Sequence, residues 1–194
     1  MPFTAEAQNG NGVWRFVDIT KFATPKLDLK GHELRCTDPD CHAPVIIKHG
    51  LVLTPHFAHK ANAGSPDCIF SGAPESEDHR LAKAQIMYKL GSLPRYQGAD
   101  IRPEQTIRIE DRKRLADVLV TWTDGAREVH EIQLSRTTIE ECEERTYDYQ
   151  AAGIDSIIWW FGGANRYDAS LHQWAKQESG AVGLLDFEDQ TQRL

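Results

Sequence analysis

The 194-residue chain lacks several features that mark whole classes of protein. No apolar stretch approaches the length that spans a bilayer, which argues against a membrane protein. The first ten residues, MPFTAEAQNG, lack the basic and apolar regions of a secretory signal. There is also no internal repeat and no low-complexity linker. We therefore expect a soluble, cytoplasmic protein that has no membrane partner.

An excess of positive charge is also missing, since the net charge is −7 at pH 7. Nucleic-acid binding normally requires clustered Lys and Arg, so this balance at first argues against a polyanionic partner. The excess acid is local, because residues 1–73 hold seven basic and seven acidic side chains. Part of it is expected to serve as metal ligands beside a basic rim. The candidates for that rim are Arg95, Arg102, Arg108, Arg112, Lys113, Arg114 and Arg145.

The composition changes near residue 73. Residues 31–73 are rich in Cys, His, Pro and Gly, whereas the following residues show helix and strand periodicity. We predict an N-terminal β module at 1–73 and a second domain at 74–194. In the first, GVWRFVDI predicts a strand or hairpin, and VIIKHGLVL predicts a hairpin that turns at His49–Gly50.

The second domain is predicted to have an α/β fold. Apolar spacing predicts a helix ended by Gly91, three strands, an acidic helix ended by Gly153, and a buried strand. The order is therefore α-β-β-β-α-β, and the bounds are 75–90, 106–110, 115–122, 127–134, 138–152 and 156–161. A further helix at 169–177, a strand at 182–187 and an acidic tail receive no role.

Two carboxylates are expected to converge in this domain. The two-residue period of a strand sends Glu131, Gln133 and Ser135 to one face of HEIQLS. Asp117 lies on the preceding strand, and the turn signal Asp124–Gly125 predicts a hairpin between the strands. Because a hard cation takes oxygen ligands, the pair indicates a magnesium site. For either acid alone, the simpler interpretation is a solvated residue on a strand.

The first helix offers further groups. Residues four apart stack on one helix face, which aligns Glu75, His79 and Lys83. All three can then point at the same metal, and Glu77 faces elsewhere. The alternative is a charged first turn that opposes the helix dipole.

Cysteine and histidine spacing in the N-terminal module indicates a second metal. Cys36, Cys41 and Cys68, with one of His56 and His59, fit a structural zinc site of three thiolates and one imidazole. Soft sulfur ligands select zinc over magnesium, so the two metals do not compete.

Several segments together resemble one known family. They are ESEDH at 75–79, RLADV at 114–118, EIQLS at 131–135, ERTYDYQAAG at 144–153 and SIIWWF at 156–161. In that order they resemble the competence protein CoiA family over about residues 30–165. The resemblance implies a restriction-endonuclease-like nuclease domain of the PD-(D/E)xK class.

The resemblance also implies site residues. Its ES-x-x-H pattern maps onto Glu75 and His79, and its HFAH element favours His59 as the zinc ligand. Gln133 stands where the general motif has Lys; the family usually carries Gln there. The R-x-x-x-Y pattern, Arg145 and Tyr149, implies contacts to DNA phosphate or to the catalytic acids. An exposed ion pair of Arg145 with Glu141 is the alternative.

The sequence thus predicts a nuclease that hydrolyses DNA with Mg²⁺ or Mn²⁺. Asp117, Glu131, the Ile132 carbonyl and Glu75 are expected to hold that cation, Gln133 to orient the nucleophile, and Lys83 to neutralise the phosphate. The predicted substrate contacts are His79, Ser135, Arg145 and Tyr149. Two alternatives are a DNA-binding or competence-related regulatory protein with little or no cleavage and a zinc-knot module for protein interaction. The oligomeric state is not predicted.

Overall fold

The computed structural model describes residues 2–50, 54–71, 75–110 and 112–185. The predicted domain boundary between residues 73 and 74 and the acidic tail both lie outside these ranges. Among the described helices, none is long and apolar enough to cross a membrane.

The N-terminal part contains two small antiparallel sheets. Its elements are β1 (Thr4–Gln8), β2 (Arg15–Asp18), α1 (Pro25–Asp28), β3 (Glu33–Arg35), β4 (Val45–Lys48) and β5 (His56–His59). The first sheet has the order β2-β1-β3, and β4 pairs with β5. The hairpin's second strand is therefore His56–His59, whereas the pattern placed it directly after Gly50; residues 51–53 lie outside the described ranges.

The C-terminal part is built on one mixed sheet. Its elements are α2 (Glu77–Ser92), β6 (Asp100–Ile109), β7 (Arg112–Thr121), β8 (Arg127–Gln133), α3 (Ile139–Ala151), β9 (Ser156–Phe161), α4 (Ala169–Ser179) and β10 (Val182–Leu184). The strand order is β10-β9-β8-β7-β6, with β6, β7 and β8 antiparallel and β8, β9 and β10 parallel. The predicted α-β-β-β-α-β order of a mixed α/β fold is confirmed.

Helices cover both faces of this sheet. Ile86 and Leu90 of α2 pack with Val118 and Ile132 on one face. On the other face, α3 and α4 pack against a core that includes Trp159, Phe161, Leu171 and Trp174. Burial of both faces explains why β9 reads SIIWWF rather than alternating with polar residues.

Local sequence signals set the element ends. Ser76 caps α2, and its hydroxyl accepts a hydrogen bond from the His79 amide at 3.2 Å. The helix therefore begins at Glu77, two residues later than the periodicity predicted, and it continues past Gly91 to Ser92. Thr138 and Glu141 form a reciprocal capping box at the start of α3.

Residues 162–165, which follow β9, form hydrogen bonds to the loop that follows β8. The amide of Gly162 donates to the Gln133 carbonyl at 3.2 Å, and the amide of Ala164 donates to the Leu134 carbonyl at 3.1 Å. The buried side-chain amide of Asn165 donates to the carbonyls of Gln133 and Ser135. The two segments are too close for an ordinary side chain at position 163, where φ is +51°.

The substitution Gly163→Ala should destabilise the protein, because the new Cβ would lie 2.6 Å from the Leu134 carbonyl oxygen. Gly180→Ala is the matched control, since φ is +71° there and no heavy atom lies within 4 Å. In urea denaturation, the control should lose about 1 kcal/mol of unfolding free energy and Gly163→Ala at least about 2 kcal/mol. Equal losses would contradict the close approach.

Candidate functional site

A cleft of about 770 Å³ lies beside α2, the adjoining ends of β7 and β8, and α3. It gathers all but one of the residues that the sequence predicted for the nuclease site. Those on its wall are Glu75, His79, Lys83, Asp117, Glu131, Ile132, Gln133, Ser135 and Arg145. The exception, Tyr149, contacts Glu131 from the sheet core.

Glu75, His79 and Asp117 form the tightest group in the cleft. One ligand atom from each lies within 4.8 Å of the other two. His79 contacts Glu75 through Nδ1, and its Nε2 lies 3.1 Å from the Ile132 carbonyl oxygen and 3.4 Å from Asp117 Oδ2. Two acids, an imidazole and a backbone carbonyl therefore meet at one point.

Asp117 lies where the pairing between β7 and β8 ends. The β7–β8 pairing ends at Val118 and His130, and beyond it Asp117 Oδ2 accepts the Ile132 amide at 2.9 Å. The carboxylate thus accepts a hydrogen bond from the buried Ile132 amide, which would otherwise have no partner. The strands separate there and leave room for the cleft.

The charge states in this group follow from its contacts. Burial disfavours the imidazolium of His79, but Asp117 and Glu75 outweigh it and raise the pKa of His79 to about 10. Burial acts against ionised Asp117 as well, yet the charge of His79 and its hydrogen bond hold the pKa of Asp117 below its usual value. For Glu75, His79 and Lys83 likewise overcome burial and lower the pKa.

Glu131 lies in the same cleft but has its own partners. Its Oε2 accepts from Arg145 at 2.6 Å, and its Oε1 accepts from the Tyr149 hydroxyl at 2.6 Å. Burial raises the pKa of Glu131, and Arg145 opposes that rise. Of the two contacts that the R-x-x-x-Y pattern implied, the geometry provides the one to the acid Glu131.

Lys83 is almost completely buried at the base of the cleft. Its Nζ lies 2.7 Å from Glu75 Oε1 and also contacts Glu104 Oε1. Burial disfavours its charge, but Glu104 and Glu75 outweigh burial and raise the pKa of Lys83. The ammonium therefore stays charged between two carboxylates.

Gln133 and Ser135 lie at the mouth of the cleft. The Gln133 amide donates to the Ser135 carbonyl at 3.1 Å, and its Nε2 lies 3.2 Å from the Ser135 hydroxyl. Its amide nitrogen is thus bonded within its own loop.

The basic residues beside the cleft are all paired with acids. Lys113 contacts Asp38 and Asp40, whereas Arg112 and Arg114 both contact the buried Asp148. Of the seven candidates for a basic rim, only Lys113, Arg114 and Arg145 line the cleft, and Arg145 pairs with Glu131. The other candidates do not line it: Arg95 pairs with Glu128, Arg102 with Asp100 and Arg108 with Asp40.

The group at Glu75 fits a divalent cation. Glu75 Oε2 is a buried oxygen that has no hydrogen-bond partner among the described residues. Carboxylate and carbonyl oxygens suit Mg²⁺ and Mn²⁺. His79 can add a nitrogen donor only when it releases its proton, so binding through His79 would be coupled to proton release. The residues that are present can therefore hold such an ion.

The four predicted zinc ligands also meet, in the N-terminal module. Cys36, Cys41, His59 and Cys68 form one cluster. The two sulfur atoms of Cys36 and Cys68 are 3.7 Å apart, and His59 Nε2 lies 3.5 Å from Cys41 Sγ and 3.8 Å from Cys68 Sγ. Ideal zinc bond lengths give tetrahedron edges of about 3.8 Å between sulfurs and about 3.6 Å between sulfur and nitrogen. The cluster has the dimensions of a zinc site.

The geometry selects His59 over His56. The His56 ring is buried, and its Nδ1 lies 2.8 Å from the Thr54 carbonyl oxygen. The His59 ring packs against Gly64, where a Cβ would lie 2.8 Å from Nδ1. Gly64 therefore leaves the space that His59 needs to face the three sulfurs.

The cysteine and histidine cluster borders this cleft. Ile69 and Phe70, directly after Cys68, line the cleft wall. Asp38 accepts the Ile69 amide at 2.6 Å and also accepts from Lys113 on β7 at 2.9 Å. The Asp38 carboxylate thus joins the cluster to the central sheet.

Sequence patterns missed two residues of this region. Glu104 is a buried acid on the cleft wall, and Asn165 holds the loop that carries Gln133. Only the strand register places Glu104 opposite Asp117, and only the packing of the β9–α4 turn places Asn165. Neither residue belongs to a spacing motif.

Two family models match the chain. The N-terminal domain of competence protein CoiA matches residues 21–68, and the nuclease-like domain of the same protein matches residues 75–191. Among solved structures, the chain is similar to the crystal structure of a repair endonuclease from Pyrococcus abyssi. The identity is 10% and the TM-score 0.34, over 95% of this chain and 84% of that one. A search of curated proteins found no match.

Zinc content should separate the two histidines. After dialysis against a chelator, the unmodified protein and His56→Gln should retain about one zinc per chain, whereas His59→Gln should lose most of it. Elemental analysis by mass spectrometry measures this directly. Retention in His59→Gln, together with loss in His56→Gln, would make His56 the ligand.

Proposed function

The chain belongs to the competence protein CoiA family, and from that premise we propose that it hydrolyses phosphodiester bonds of DNA with a divalent cation bound in the cleft. One observation carries the proposal: Glu75, His79, Asp117 and the Ile132 carbonyl meet at one point, and the buried Oε2 of Glu75 has no hydrogen-bond partner within the described part of the chain. Bringing these donors together does not stabilise the fold, because burying charges costs free energy.

The proposed ligands of the cation are Glu75, Asp117, the Ile132 carbonyl and His79, with Glu131 next to Asp117 in the same cleft. When bound, Mg²⁺ or Mn²⁺ would polarise the scissile phosphate and lower the pKa of a water. Arg145 and Tyr149 hold the Glu131 carboxylate through hydrogen bonds of 2.6 Å each. We assign Glu131 to the activation of water and, through it, a positioning role to Arg145 and Tyr149.

The remaining predicted residues keep proposed roles that suit their contacts. Gln133 and Ser135, at the mouth of the cleft, orient water or phosphate through neutral hydrogen bonds. Lys83 acts on the phosphate through its field, because its ammonium contacts Glu75 and Glu104 and is buried. Lys113 and Arg114 on the cleft wall are the proposed phosphate contacts.

Binding of DNA with little or no cleavage is a second candidate. Its specific support is Gln133, which carries no charge and whose amide nitrogen is bonded to Ser135. A neutral amide cannot donate positive charge to the transition state as a lysine would. In this case the protein would retain DNA binding and metal binding without turnover.

Asp117→Asn should abolish cleavage while it preserves the fold, because the amide oxygen can still accept the Ile132 amide. Cleavage of single-stranded, duplex and branched DNA, in Mg²⁺ and in Mn²⁺, should fall by more than about 100-fold, since even outer-shell partners of a metal contribute 10- to 100-fold. Asp124→Asn, in the exposed β7–β8 turn, is the matched control.

Equal cleavage by Asp117→Asn and the unmodified protein would refute the site. Metal-dependent DNA binding without cleavage by the unmodified protein would favour the second candidate.

A further inference from the structure

Glu104 has an unusual backbone for a strand residue. It lies within β6, its φ is +55°, and its side chain is buried. Residues other than glycine rarely adopt this left-handed backbone conformation, and such backbone strain is concentrated at functional sites. The conformation therefore calls for a reason in the surrounding contacts.

The strand register places Glu104 beside the proposed metal ligands. Pro103 pairs with Val118 and Gln105 pairs with Ala116, so Glu104 lies opposite Asp117. Glu104 also lines the cleft that contains Glu75 and Asp117.

Both oxygens of Glu104 accept strong donors. Oε2 accepts the Phe3 backbone amide at 2.5 Å, and Oε1 accepts from the Lys83 ammonium. Burial raises the pKa of Glu104, and the charge of Lys83 opposes that rise. The direct contact with a buried ammonium on one oxygen and a backbone amide on the other favours the carboxylate form, which we assign to Glu104.

Lys83 creates an electrostatic problem for the site that Glu104 can solve. Its Nζ lies only 2.7 Å from Glu75 Oε1, a proposed cation ligand. A fixed ammonium so close to a ligand would repel an incoming cation strongly in a buried site. A second carboxylate on the same ammonium cancels that charge and leaves the charge of Glu75 available.

We propose that Glu104 is the counter-charge of Lys83 that allows a divalent cation to bind at Glu75 and Asp117. Glu104 acts through Lys83 and is a positioning residue rather than a ligand. This inference rests on the proposed function, because it presumes that a cation binds there. It also gives the N-terminal module a part in the site, since the Phe3 amide holds the Glu104 carboxylate and the Phe3 ring lies 5.2 Å from Lys83 Nζ.

Binding of Mn²⁺ to the zinc-loaded full chain tests the proposal without any need for cleavage. Isothermal titration calorimetry would compare the unmodified protein with Glu104→Gln, Lys83→Met and the double variant. Glu104→Gln removes the counter-charge at constant size, so the Kd for Mn²⁺ should rise about 10- to 100-fold. The double variant removes both charges, so its Kd should return to within about threefold of the unmodified protein.

Glu128→Gln is the matched control. Glu128 is equally buried and contacts Arg95 and Tyr96, but it does not line the cleft. Its Kd for Mn²⁺ should stay within about twofold of the unmodified protein, since its charge is compensated away from the ligands.

Each outcome decides a different point. An unchanged Kd in Glu104→Gln, or no recovery in the double variant, would overturn the role of Glu104. If Glu104→Gln fails to fold, Lys83→Met decides: it should bind Mn²⁺ at least as tightly as the unmodified protein, and weaker binding would overturn the proposal. Absence of Mn²⁺ binding in the unmodified protein would instead refute the metal site of the proposed function.

Discussion

The hydrogen bond from the Ile132 amide to Asp117 Oδ2, 2.9 Å long, is the contact on which the site depends. It replaces the next rung of the β7–β8 ladder, which ends at Val118 and His130. Because the side chain satisfies the buried amide, the strands can separate without leaving a donor unpaired. The Ile132 carbonyl is then free to face His79 at 3.1 Å. An acid, a carbonyl and an imidazole thus meet where the sheet opens.

The separated strands would be unstable without compensation for the buried charge. Each of the four acids on the cleft wall has a cationic or hydroxyl partner: His79 and Lys83 for Glu75, His79 for Asp117, Lys83 for Glu104, and Arg145 with Tyr149 for Glu131. Replacing such networks by apolar side chains is often neutral or stabilising, so their presence points to chemistry rather than stability. The cysteine and histidine cluster adds a wall to the same cleft through Ile69 and Phe70.

Local patterns in the sequence predicted the α-β-β-β-α-β order, the hairpin that brings Asp117 near Glu131, and the meeting of Cys36, Cys41 and Cys68 with one of two histidines, of which the family resemblance favoured His59. These features depend on periodicity, turn residues and short spacings, which a sequence displays directly. Strand register is different, because it appears only after folding, and it decides that Glu104 faces Asp117. The pairing of Lys113 with Asp38 joins residues 75 positions apart and could not be predicted. Helix α2 begins at Glu77, two residues later than predicted, because Ser76 caps the helix.

Crystallography of the protein soaked in Mn²⁺ tests the central claim most directly, since anomalous scattering locates manganese and zinc separately. The account predicts one manganese peak in contact with Glu75 and Asp117 and one zinc peak enclosed by the three cysteines and His59. A structure in which manganese binds elsewhere or not at all, with Asp117 still bonded to the Ile132 amide, would contradict it.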